Sequence, residues 1–117
     1  MFSPKAHTDQ ADHNKDLLHQ LLNHMQQFSD WIVTVSFYFA VHRVDAVLKG
    51  KFKQYPSSHK ERNTLVRKYL PQISPDYEAI YSVSVRARYY PGYHIRNPLP
   101  KIMKFIQETE AIFSNLK

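Results

Sequence analysis

The chain has 117 residues, 43% hydrophobic and 14% aromatic, with only two Gly and no Cys. That length supports one core and leaves no room for a second domain, and the lack of Cys excludes disulfides, thiolate zinc sites and a cysteine nucleophile. Sixteen Lys and Arg against ten Asp and Glu give a formal charge of +6, which suits either a solvated basic surface or a polyanion partner.

Residues 1–11, with Pro4 and scattered His, read as a disordered arm outside the fold. The domain is expected to span 12–117. The polar start lacks the apolar stretch of a signal peptide, and no run reaches the roughly 18 consecutive apolar residues of a membrane span. A cytoplasmic protein without membrane contact is the expectation.

From Asp12, a fair N-cap, Leu17, Leu18, Leu21, Leu22, Met25 and Phe28 recur at three-to-four spacing and predict a first helix. Ser29 or Asp30 opens the second. The run from Trp31 to Leu48 is rich in β-branched and aromatic residues, yet its length without Gly or Pro argues against a strand. Trp31, Val35, Tyr38, His42 and Ala46 share one face at helical spacing, and a segment apolar over so much of its circumference belongs at the centre of a bundle. Gly50 is read as its stop.

Ser58-His59-Lys60-Glu61 forms a capping box for the third helix, which ends before Pro71. Ser74-Pro75 starts a fourth that runs to Arg88 or Tyr89, since Ser caps well and Pro is tolerated at the first helical position. Tyr90-Pro91-Gly92 breaks it, and Asn97-Pro98 opens a last helix with Leu99, Ile102, Ile106 and Phe113 as its apolar seam. The expected fold is all-α, an up-and-down bundle of four to five helices.

Three groups of residues carry chemistry. His42 sits on a central helix with Asp45 nearly one turn on, either as a paired core histidine or as part of a site. His59 and Arg62 share a face just inside a helix N-terminus, where free N–H groups and the dipole favour anions. Arg86, Arg88, Tyr89 and Tyr90, followed by Tyr93, His94 and Arg96, offer guanidinium groups for phosphate and rings for base stacking, or an ordinary interface. The His at 7, 13, 19 and 24 do not form an i, i+4 ligand pair and read as solvent-exposed. HExxH, P-loop, GxGxxG and GxSxG patterns do not occur, so no metal or other cofactor is expected.

The order Trp31, Phe37 to Ala46 with Tyr38 and His42, Ser58 to Asn63, then Tyr81, Ser84 and Arg86-Ala87-Arg88-Tyr89 resembles the HEPN superfamily over residues 12–113. That resemblance implies a helical bundle, usually a homodimer and often encoded beside a minimal nucleotidyltransferase as a toxin–antitoxin pair. Many members are metal-independent endoribonucleases that carry Arg, four to six residues, then His. Arg88 and His94 match this spacing. By resemblance, the His acts as general acid or base on the ribose 2′-OH or leaving oxygen, and the Arg stabilises phosphate charge.

A different constellation, His42, Asp45, His59, Arg62 and Arg88, is expected to converge in one cleft that suits RNA or nucleotide phosphates. Arg88, His94 and His42 are the candidate catalytic residues, with His59, Arg62 and Arg86 for phosphate and Asp45 and Tyr89 in support. The alternative is a non-catalytic interaction module that self-associates or partners a nucleotidyltransferase.

Overall fold

The computed structural model describes residues 2–21 and 28–89, together with Gln107, Glu110 and Ser114. Among these residues every regular element is a helix: α1 (Pro4–Leu21), α2 (Ser29–Phe52), α3 (His59–Tyr69) and α4 (Ser74–Tyr89). The all-α bundle expected from the sequence is the one observed. Gln107, Glu110 and Ser114 are helical. The rest of the expected fifth helix lies outside the described residues.

The N-terminal arm is not disordered. Residues 4–11 are helical and packed, because Ser3 caps α1 by accepting from the Ala6 N–H at 3.1 Å and Pro4 occupies the first helical position, where it has no N–H to leave unpaired. Ala11 is fully buried and His7 nearly so. The expected start at Asp12 falls mid-helix, and His7 is not the solvated residue its polar surroundings suggest.

α2 is the spine. It packs against α1, α3 and α4, and it buries Ile32, Val33, Phe37, Phe39, Ala40, Val41, Val44 and Leu48. Such all-round burial is what its nearly continuous apolar run requires. Trp31, on the face shared with Val35, Tyr38, His42 and Ala46, is 58% exposed. By length and composition the stretch Asp30–Phe52 also passes as a membrane span, but 61% of its tested 18-residue window is buried inside the bundle, as in the core helix of a helical domain.

α2 does not stop at Gly50. It continues to Phe52 and ends at Lys53, whose φ of 56° puts a non-glycine residue in the left-handed region, while the Gln54 N–H donates to the Leu48 carbonyl at 3.0 Å. Gly50 lies in the last turn beside α1, where an added Cβ would meet the Pro4 ring at 3.5 Å, an ordinary contact.

Residues 53–58 carry the chain back along α2, so that α3 begins with the His59 ring 5.5 Å from Phe37 and ends with Tyr69 5.0 Å from Phe52. Ser58 caps α3 by accepting from the Glu61 N–H at 3.1 Å. The reciprocal half of the expected capping box is displaced by one residue, because Glu61 accepts from Ser57 Oγ at 3.1 Å. α4 returns alongside α3, tied to it on the surface by Arg67 and Glu78. It places the buried Tyr77 and the half-buried Tyr81 with their rings 6.1 and 5.7 Å from Phe37.

Candidate functional site

Phe37 forms the floor of a polar cluster built by α1, α2, α3 and α4. At its centre Arg62 of α3 donates twice to Asp45 of α2, from Nε to Oδ1 at 2.7 Å and from Nη2 to Oδ2 at 3.0 Å. The side chains keep 10% and 5% of their exposure. Burial works against the Arg62 charge, but the Asp45 hydrogen bonds and carboxylate outweigh it and raise the guanidinium pKa above its ordinary value. The third arm of Arg62, Nη1, donates to His59 Nδ1 at 3.2 Å. Guanidinium has no acceptor, so neutral His59 must carry its proton on Nε2.

Arg88 approaches the same floor from the end of α4. Its guanidinium carbon lies 5.3, 5.5 and 5.1 Å from the rings of Phe37, Tyr38 and Tyr89. Its N–H groups donate to Tyr38 Oη at 3.0 Å, to the Ser84 carbonyl at 3.3 Å and to Ser84 Oγ at 3.4 Å. Among the described residues all its polar partners are neutral. His59 stands within electrostatic reach of both arginines, and its pKa is lowered by burial first, then by Arg62 and Arg88.

His42 belongs to a second arm. Its Nδ1 lies 2.8 Å from His7 Nδ1, with the two rings stacked, and His7 Nε2 lies 2.7 Å from Lys49 Nζ. Burial lowers the pKa of both imidazoles; for His7 the Lys49 charge adds to it, whereas Asp45 opposes the shift in each. The expected convergence is therefore partial. Asp45, His59 and Arg62 are directly bonded, Arg88 joins them through the aromatic floor, and His42 couples to Asp45 and Arg62 through space while bonding to α1.

The remaining candidates separate from this cluster. Arg86 is exposed on α4 and has no bond to the cluster among the described residues. Tyr89 is 66% exposed and touches the site only as a ring beside Arg88. His94 lies outside the described residues. No group of three or more His, Cys, Asp or Glu among the described residues is placed to hold a metal.

Reading the sequence missed His7, Lys49 and Tyr77 as site residues. Lys49 was legible, because it follows His42 and Asp45 at helical spacing of seven and four. His7 was not, since nothing local links it to a helix 35 residues away. Tyr77 is fully buried, with a hydroxyl that has no hydrogen-bond partner among the described residues. Burial raises its pKa, with the charges of Arg62, Asp45 and Arg88 within reach.

Comparison of the chain with protein-family models, with curated proteins and with solved structures returns no match.

Proposed function

We propose that this chain is a HEPN-like helical protein that binds phosphate groups of RNA or nucleotides where Arg88, His59 and Arg62 meet. One observation carries this reading: among the described residues, Arg88 is held over an aromatic floor by neutral acceptors only. A half-buried guanidinium without a carboxylate keeps its charge available for an anion, and its planar fork matches phosphate oxygens. The neighbouring rings of Tyr38 and Tyr89 supply stacking faces for bases. Ribonuclease chemistry, with Arg88 stabilising phosphate charge and His94 or His42 moving a proton, extends the same reading.

A second reading, a non-catalytic interaction module that self-associates or pairs with a nucleotidyltransferase, is favoured by Arg62 alone. Its three arms are committed to Asp45 and His59, as in a network that fixes helix register.

The deciding experiment incubates labelled single-stranded RNA with the purified chain in EDTA and follows binding and cleavage. Arg88→Ala, His42→Ala and His94→Ala are compared with the parent. Retention of RNA that weakens in Arg88→Ala supports the phosphate site, and EDTA-resistant cleavage lost in a His variant supports the nuclease. A folded parent that neither binds nor cuts RNA leaves the interaction module.

A further inference from the structure

The hydrogen bonds around the two histidines run in one direction only. An ammonium donates and never accepts, so Lys49 Nζ obliges His7 Nε2 to be an acceptor. A neutral His7 then carries its proton on Nδ1 and donates it to His42 Nδ1, 2.8 Å away. With Nδ1 accepting, neutral His42 has its proton on Nε2, and Nε2 makes no hydrogen bond among the described residues. Arg62 imposes the same outcome on His59 by donating to its Nδ1.

We propose that Lys49, acting through His7, and Arg62, acting directly, are positioning residues that hold His42 and His59 as neutral imidazoles with Nε2–H pointing away from the network, two donors suited to a phosphate oxygen. The assignment deepens the phosphate-site reading and rests on it for the identity of the ligand, though not for the direction of the bonds. The charged and titratable groups facing the two-histidine pair are Lys49, Asp45 and Arg62. A proton added to His7 Nε2 would point at the Lys49 ammonium, and one added to His42 Nδ1 would point at the Nδ1–H of His7. Both steps break the chain. In this state His42 presents Nε2–H as a hydrogen-bond donor at neutral pH.

Lys49 is nearly buried yet bonds only to His7 among the described residues. A lysine kept there for packing alone would be replaceable by Met without consequence for either imidazole. That difference supplies a readout that a structural role does not move.

The test is long-range ¹H–¹⁵N NMR of the imidazoles of the full chain at neutral pH, in the parent, Lys49→Met and Lys49→Arg. Binding of a labelled single-stranded RNA is measured alongside. The parent should show His7 protonated on Nδ1 and His42 and His59 on Nε2. Lys49→Met should return His7 to Nε2–H and unlock His42, and Lys49→Arg should restore the parent pattern. RNA affinity should fall roughly 3–10-fold in Lys49→Met, the loss of one aligned donor. A parent His7 protonated on Nε2, or a His7 tautomer indifferent to Lys49→Met in a folded variant, overturns the proposal. Tautomers that follow the expected pattern while RNA never binds leave the lock standing and remove the phosphate reading instead.

Discussion

Arg62 of α3 grips both carboxylate oxygens of Asp45, seventeen residues earlier on α2. Two nearly buried charges in this geometry bind each other and fix how α3 docks on the spine. Such a pair adds little stability over an apolar pair of equal volume, but removing one member strands the other. Asp45→Ala should therefore cost about 3–5 kcal/mol in urea unfolding, whereas Asp45→Leu with Arg62→Met should recover most of that loss. Equal losses in the single and double variants would contradict this account.

His7, His42 and His59 all have pKa values lowered from 6.5, each mainly by burial. The folded state thus holds fewer protons than the unfolded chain once the pH drops below that value. Linkage then gives stability that is fully present above about pH 6.5 and falls as the pH is lowered toward the depressed folded values. Melting temperatures between pH 8 and 5 should show a plateau followed by a decline. The His7→Phe variant should flatten that decline.

Tyr77 is fully buried with a hydroxyl that finds no partner among the described residues. An unsatisfied buried donor costs about 1–3 kcal/mol. Tyr77→Phe keeps the ring against Phe37 and should raise stability by about 1 kcal/mol in chemical denaturation. A loss would reveal that the hydroxyl takes part in the Arg62–Asp45 network.

The end of α2 offers two independent gains. Gly50 is helical with room for a methyl group beside Pro4, so Gly50→Ala should stabilise by about 0.5–1 kcal/mol. Lys53 adopts the left-handed conformation that costs a residue with a Cβ about 1–2 kcal/mol, so Lys53→Gly should also raise the melting temperature. Because the two act through backbone freedom at separate positions, their effects should add.

Arg88→Ala should weaken binding of single-stranded RNA by about 1–3 kcal/mol and reduce the salt slope of log affinity by roughly 0.7 for each phosphate that is no longer neutralised. Far-UV circular dichroism should stay unchanged, since Arg88 bonds to no charged partner in the described structure. Arg88→Lys should restore part of the salt dependence but not the full affinity, because an ammonium cannot reproduce the fork.

The helices were legible where apolar periodicity and caps agree. Ser58 with Glu61 and Ser74 with Pro75 mark α3 and α4 within a residue of their observed starts. The same Ser-Pro signal stands at Ser3-Pro4, but the low apolar content of residues 1–11 concealed it: α1 needs only Ala11 and the polar His7 to seat its first half. Gly50 misled because glycine is the commonest left-handed cap, and here the chain places that conformation three residues later, on Lys53. Within the site, His42 with Asp45 on α2 and His59 with Arg62 on α3 stand at helical spacings that betray their faces. The bonds from His7 to His42 and Lys49 span 35 and 42 residues, and no local pattern encodes them.

That last separation bears on how the chain is made. His7 and Ala11 leave the ribosome long before Lys49 and Leu48, so the first half of α1 has nothing to fold against until α2 has emerged almost in full. α1 is too weakly apolar to wait as a stable helix in water. Synthesis thus passes through an interval in which the first half of α1 waits unpacked for α2, exposed meanwhile to chaperones and proteases.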